Sequence, residues 1–357
     1  MLGDKRGDNG QVEVVAEALG WPCERKRLAM RAPYIRGKPR VRPSLHHIDP
    51  ARSDPLEPPW PDLIITVGRR PSMAALWVRE QSGGHSKIVQ IGKPSGRIEW
   101  YDLVIASAEV VLPPLPNVLS ITLPLMQVDE ANVAAAAELW RPRLAELPRP
   151  LIGCLIGGPT EPYVYDRGMA DRLLGWAQGH IAETGGTPYF TTSRRTPADL
   201  VAALEAALPT GAHLFAWAPE TADNPYHGLL ALADGFVVTG DSISMMVEVL
   251  KARKPVAIFP LRAGPIGTVD QFRRAAVRKL FAPGSGRHGG GLRPALARLL
   301  YRLHIAAHTR DFDNFHRILR DRGLAGPLGR PLTPPAGEIP DDLVPIVARI
   351  KGLTEAA

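Results

Sequence analysis

Residues 235–260, GFVVTGDSISMMVEVLKARKPVAIFP, decide the fold. Phe236–Val238 and Val256–Phe259 are apolar runs of strand length, each bounded by turn or helix signals. Between them Ile243, Met246, Val247 and Leu250 recur at helical spacing, so Ile243–Ala252 reads as a helix with one apolar face. Gly240 permits a tight turn, and Asp241 or Ser242 can cap the helix that follows. A strand, a helix and a strand of these lengths form one unit of a parallel α/β sheet. Ser244 and Glu248 stand at i and i+4 and share a second helix face. The helix start offers N–H groups and a positive dipole end to an anion such as phosphate, and a carboxylate one turn further in suits ribose hydroxyls. Ordinary capping beside a solvated glutamate accounts for the same residues. Their place at the carboxyl end of a parallel strand favours a ligand site.

Outward from this unit, the alternation continues on its N-terminal side. Strand Leu151–Ile156 precedes Gly157-Gly158-Pro159-Thr160 and a helix over about 166–183. Strand Pro188–Thr192 precedes helix Ala198–Leu208, and strand His213–Trp217 precedes a helix near Tyr226–Ala233. Earlier in the chain, Asp62–Val67, Lys87–Ile91, Leu103–Ala106 and Val118–Leu123 read as strands, with helices at Gln11–Leu19, Ser72–Gln81 and about 130–147. At 357 residues the chain exceeds the usual single domain. The fold class is α/β, with two doubly wound Rossmann-like domains facing a cleft. The boundaries fall at 1–148, 149–300 and a helical tail, 301–357, packing across both domains.

Two further loops follow strands of the second half. Gly157 and Gly158 let a backbone approach a ligand closely, and Thr160 adds a hydroxyl. Arg194 and Arg195, within Thr191–Pro197, supply guanidiniums that grip phosphate oxygens bidentately. In the first half, Gly3–Gln11 is a glycine-rich polar stretch opening a helix, where Asp4 or Asp8 can act as a general base or serve as turn and capping residues. Asn9, Gln11, Arg69 and Arg70 add polar groups for acceptor contacts.

Net charge is +7, and the excess is concentrated: Arg25, Lys26, Arg27, Arg31, Arg36, Lys38, Arg40 and Arg42 occur without an acid among them. That segment suits an anionic membrane surface or phosphorylated substrates, or is a solvated loop. Nucleic acid is not expected, because no recognition module accompanies the charge. Cys23 and Cys154 lack the spacing of a disulfide framework or zinc site, which fits a reducing cytoplasm. The N-terminus lacks a secretory h-region, and no run reaches the ~18–20 apolar residues that span a bilayer. Gly284–Gly289 matches G-x-G-x-x-G but follows a helix-like stretch instead of a strand, so it reads as a loop. His46-His47 and the His304/His308 pair lack partners at metal spacing, so no metal is expected.

Gly7-Asp8-Asn9-x-Gln11, Ala16–Gly20, Leu155–Pro159, Thr192–Pro197, Asp241-Ser242-x-Ser244-Met245 and Lys254-Pro255-Val256 run in order over most of 1–330. In this the chain resembles the mitochondrial fission "elongated mitochondria" family, which also occurs in Gram-negative bacteria. That family is itself similar to GT-B glycosyltransferases, including lipid-A-disaccharide synthase. The resemblance implies a nucleotide-sugar donor in the second domain and an acceptor on the first, without a cofactor or metal. On it, Gly157, Gly158, Thr160, Arg194, Arg195, Asp241, Ser242 and Ser244 would hold the donor diphosphate, Glu248 the ribose, and Asp8 or Asp4 would deprotonate an envelope or lipid-linked acceptor. Two alternatives stand beside transfer: epimerisation or hydrolysis of a nucleotide sugar, and a non-catalytic scaffold, since the plant relative is regarded as an adaptor. The resemblance also implies a full strand before the first glycine loop, where only Met1-Leu2 precede Gly3. Either the start codon is placed late or that strand is clipped.

Overall fold

The computed structural model describes every residue except 5, 37–38, 220, 222, 282–291, 304 and 356–357. Lys38, the 284–289 loop, His304 and the Arg36 side chain therefore lie outside the described residues. In chain order the first elements are α1 (Arg6–Leu19), α2 (Ala32–Arg36), β1 (Leu63–Val67), α3 (Arg69–Gln81), β2 (Lys87–Ile91), β3 (Leu103–Ser107), β4 (Val110–Val111) and β5 (Val118–Ile121). Next come α4 (Glu130–Ala145), β6 (Leu151–Leu155), α5 (Arg167–Thr184), β7 (Thr187–Thr191), α6 (Ala198–Ala206), β8 (His213–Phe215) and α7 (Tyr226–Leu232). The opening unit is β9 (Gly235–Thr239), α8 (Ile243–Lys251) and β10 (Val256–Phe259). After it run α9 (Pro265–Phe281), α10 (Leu292–Arg302), β11 (Thr309–Arg310), α11 (Phe312–Asp321), β12 (Gly326–Pro327) and α12 (Leu343–Glu355).

The first compact unit comprises 1–127, 274–311 and 340–357. Its four-stranded sheet has the order β1-β2-β3-β5, all parallel. Strand alternation sends Ile64, Ile88 and Val104 to the face covered by Ala75, Leu76 and Val78 of α3. Val67, Val89, Ile91, Leu103 and Ile105 point the other way, onto Val12 and Val15 of α1 and Ile346 and Ile350 of α12. Burial on both faces is why these strands read as continuous apolar runs. Beside β1, the Met1 ammonium donates to the Ile65 carbonyl at 2.7 Å, and Leu2 pairs with Arg27 in a parallel bridge.

The second unit comprises 128–273 and 312–339. Its six-stranded sheet runs β12-β10-β9-β6-β7-β8, again parallel throughout. Ile152 and Cys154 of β6 join Val237 and Ala257 beneath α5 and α6, and α8 packs on β9 and β10. Both units are Rossmann-like. No helix among the described residues is long and apolar enough to cross a membrane.

The divisions differ from the expected 148 and 300. Helix α4 packs on α7 and so belongs to the second unit. Residues 274–311 return to the first unit, where β11 pairs antiparallel with β4 and Ala297 meets Val111, Val277 and Phe281. The stretch 301–357 contributes to both units: β12 extends the second sheet and α12 covers the first.

Gly153, at the centre of β6, faces Phe236 across the β6–β9 pairing. A Cβ built there would lie 2.5 Å from the Phe236 ring, which is fully buried. Gly153→Val should destabilise the protein by about 1–3 kcal/mol through overpacking, read as a lower denaturant midpoint. An unchanged midpoint would show that Phe236 has room to retreat.

Candidate functional site

In the six-stranded sheet the chain proceeds from β6 to β7 and β8 on one side, then returns to build β9 and β10 on the other. Connections leaving neighbours β6 and β9 thus diverge, opening a crevice beyond their carboxyl ends. The two loops there begin at Gly157 and Gly240, and the loop after β7 lies beside them. Three loops distant in sequence therefore meet at one end of one sheet.

The Asp241 carboxylate holds them together. Its side chain is fully buried. Oδ2 accepts from the Gly158 N–H at 3.1 Å and from the Ser242 hydroxyl at 3.2 Å. Oδ1 accepts from the Thr239 hydroxyl at 2.8 Å and from the Tyr165 phenol. The Arg195 guanidinium stands 3.5 Å from Oδ2. Burial, then the neighbouring carboxylate, drives the Tyr165 pKa far above the ordinary phenol value, so the phenol keeps its proton and donates. Gly157 is required: a Cβ there would fall 2.3 Å from Asp241 Oδ2 and onto the Ser242 hydroxyl. The Gly157 N–H donates to Thr239 Oγ1 at 2.9 Å, and its carbonyl accepts from Ser193 at 3.0 Å and Thr196 at 2.6 Å.

Several sequence expectations change here. Neither Asp241 nor Ser242 caps α8: Ser242 is the N-cap residue but makes no capping bond, because its hydroxyl is turned to Asp241. Thr160 donates to the Gly158 carbonyl at 3.1 Å and accepts from Arg195 at 3.0 Å, so it braces its own loop. Arg194 and Ser244 are exposed beside this cluster. Glu248 is not a solvated residue: its Oε2 accepts from the Tyr226 hydroxyl at 2.6 Å in a half-buried place. Burial raises the Glu248 carboxyl above its ordinary value, and it raises the Tyr226 phenol as well. Sequence reasoning missed Tyr165, Tyr226 and His316, whose partners lie 22 to 76 positions away. The His316 ring on α11 is kept neutral by burial, and its Nε2–H donates to the Gly240 carbonyl at 2.7 Å.

The first unit gathers the other candidates. Helix α1 begins at Arg6, five residues before the expected start, so Asp8 lies in its first turn instead of capping it. Asp8 Oδ2 lies 3.6 Å from where a Cβ on Gly68 would sit, and Gly68 has φ +78. Asp4 is paired with Arg70 at 3.3 Å, and Arg70 also donates to the Ile35 carbonyl at 2.6 Å. Arg69 donates to the Pro39 carbonyl at 3.0 Å. Asn9 closes the loop by bonding both the N–H and the carbonyl of Gly3, at 2.8 and 2.9 Å, so its amide serves the backbone. Gln11 is half-buried on α1. In the basic segment Arg25 pairs with Glu13 and Lys26 with Glu24, while Arg31 donates to the Ile48 carbonyl. Arg27, Arg40 and Arg42 are exposed.

A family model described as Mitochondrial fission ELM1 matches residues 6–280. The chain is 30% identical over 220 residues to Mitochondrial fission protein ELM1 of Arabidopsis thaliana, covering 56% of this chain and 51% of the plant protein. It is 24% identical over 234 residues to an uncharacterised protein of Rickettsia prowazekii (strain Madrid E), covering 56% of this chain and 64% of that one. The chain thus spans about half the length of the plant relative and less than two thirds of the rickettsial one. Among solved structures it is similar to the UDP-GlcNAc 2-epimerase from Methanocaldococcus jannaschii, with TM-score 0.45 and 9% identity over 85% of this chain and 98% of that one. It is also similar to a glycosyltransferase from Rickettsia africae ESF-5, with TM-score 0.35 and 11% identity over 73% and 75% of the two chains.

Two substitutions test the cluster. Asp241→Asn turns one carboxylate oxygen into an amide donor against two of the four groups that now donate, and should cost about 3 kcal/mol in denaturant unfolding. A near-neutral effect would mean that the carboxylate is not what joins the loops. For Glu248 the raised folded pKa means the group favours folding at low pH and loses that contribution as pH rises above 4.5. Glu248→Gln keeps an acceptor for Tyr226 without the charge. It should melt above wild type at about pH 8, with the gap closing towards pH 4.5. A gap independent of pH would refute the electrostatic account.

Proposed function

We propose that the chain, which belongs to the Mitochondrial fission ELM1 family, holds a nucleoside diphosphate sugar at the switch point of its six-stranded sheet and transfers the sugar without a metal ion. The observation that carries this reading is the convergence of three loops on Asp241 at the carboxyl ends of β6, β7 and β9, beside an α8 start whose N-cap residue, Ser242, makes no capping bond. An uncapped helix start presents N–H donors and a positive dipole end to an anion. The donor diphosphate lies along Gly157, Gly158 and the α8 start, with Ser244 and Arg194 reaching its oxygens. Glu248, oriented by Tyr226, accepts from a ribose hydroxyl. As the glycosidic bond to the diphosphate breaks, negative charge grows on the leaving oxygen, and the helix start and guanidinium stabilise it. A general base takes the proton of the acceptor hydroxyl. An acceptor at an anionic surface fits the exposed Arg27, Arg40 and Arg42.

The same carboxylate favours a second reading, a scaffold that keeps the fold without transfer. Asp241 already takes the Gly158 N–H, the Ser242 hydroxyl and Arg195, three of the donors a diphosphate would use.

Titration with uridine, guanosine, adenosine and thymidine diphosphate sugars separates the two. On the transferase reading at least one binds, and Ser244→Ala and Arg194→Ala each weaken it by about tenfold or more, the value of a charge-assisted hydrogen bond. Affinity unchanged by both substitutions would remove the site assignment. Absence of binding across the set would leave the scaffold reading.

A further inference from the structure

Among the described residues, helix α10 packs through one face. Pro294 and Ala297 are buried, and Ala297, Leu300 and Tyr301 meet Val111, Val277 and Phe281. At about 100° per residue, Leu292, Leu296, Leu299 and Leu303 fall within roughly 60° of one another and opposite that packed face. Leu303 continues the helix by one bond, its N–H donating to the Leu299 carbonyl at 2.9 Å. These four leucines are 48% to 93% exposed, and Ile305 just beyond them is 71% exposed. A helix with two apolar faces, one of them in water, is an interaction surface.

Charge identifies the partner. Residues 271–310 contain no acidic side chain, while Arg293 and Arg302 border the leucine stripe about a quarter turn to either side and Arg298 lies one turn before Arg302. Long basic side chains flanking an apolar face let the leucines enter hydrocarbon while the guanidiniums stay at headgroup level. A second copy of the same helix would bring arginine to arginine with no carboxylate to pair. We propose that α10 lies in the plane of an anionic lipid surface, inserting Leu292, Leu296, Leu299 and Leu303 and placing Arg298 and Arg302 among the phosphates. This surface is separate from the basic segment 25–42 and stands whether or not a nucleotide sugar binds.

The test is flotation of the full chain with vesicles of phosphatidylcholine alone and with phosphatidylglycerol added. Wild type should float only with the anionic vesicles. Leu296→Ser/Leu299→Ser should lower the bound fraction by about tenfold or more, since each buried leucine side chain contributes appreciably to partition. Its melting temperature should stay at the wild-type value, because both positions face water. Arg298→Ser/Arg302→Ser should weaken binding and flatten its dependence on salt. Should the double serine variant not stay folded, Leu299→Trp gives an independent reading: its fluorescence should shift to the blue on anionic vesicles alone. Three results would each overturn the proposal: no flotation of wild type, wild-type-like flotation of the leucine variant, or a dimer in solution that the leucine variant dissolves. Loss of flotation in Arg40→Ser/Arg42→Ser with full retention in the leucine variant would assign the contact to the basic segment instead.

Discussion

Withdrawing a carboxylate from water costs several kcal/mol unless hydrogen-bond donors fill its lone pairs. Asp241 is buried and met by four donors from four positions: a backbone N–H at 158, hydroxyls at 239 and 242, and the phenol at 165. Each donor comes from a segment that must be in its final place before the carboxylate is satisfied. The loop after β6, the loop after β9 and the turn leading into α5 are therefore fixed relative to one another by one side chain. Gly157 is the steric condition for that closure, since any Cβ would occupy the place of the carboxylate oxygens.

This arrangement divides labour among the polar residues around the crevice. Arg195 stands 3.5 Å from the carboxylate and 3.0 Å from Thr160, so it offsets the charge of Asp241 and ties down the glycine loop. Two like charges about 5 Å apart repel by about 3 kcal/mol at an effective dielectric constant near 20. Without Arg195, an anion at the α8 start would meet a repulsion of that order from Asp241. Of two adjacent arginines that look equivalent in sequence, Arg195 is the one that meets the Asp241 carboxylate and the Thr160 hydroxyl.

The strands and helices from β6 to β10 are legible in the sequence because each is buried on a predictable face, and the expected Val256–Phe259 and Lys87–Ile91 coincide with β10 and β2. Parallel strands covered on both sides leave continuous apolar runs, and α8 leaves a clear helical period. The convergence of Gly157, Thr192–Thr196 and Asp241 is also legible, since loops after parallel strands of one sheet share one end. The roles within that cluster are not. Asp241 and Ser242 have the residue types of helix caps, and nothing local distinguishes a capping hydroxyl from one turned inward to a buried carboxylate. The decisive donor, Tyr165, lies 76 positions away. For α1, the glycines at 7 and 10 argue for a loop, while bonds between Asn9 and Gly3 and the placement of Asp8 over Gly68 carry the helix back to Arg6.

The same limit explains the C-terminal quarter. Residues beyond 273 contain short elements whose periodicity says only that they are strands or helices, whereas their allegiance depends on pairing with distant segments. β11 joins β4, and β12 joins β10. α11 returns to the second unit so that His316 donates to the Gly240 carbonyl in the turn just before Asp241. A Cβ on Gly240 would lie 2.9 Å from that ring, so the glycine admits the imidazole. The backbone of this turn is thus held on one side by the β10 strand end, through the Gly240 N–H to Phe259, and on the other by a helix more than seventy residues later. The segment after α10 is therefore structural for the crevice. Removing it would leave a buried carbonyl without its donor and the loop that presents α8 held from one side only.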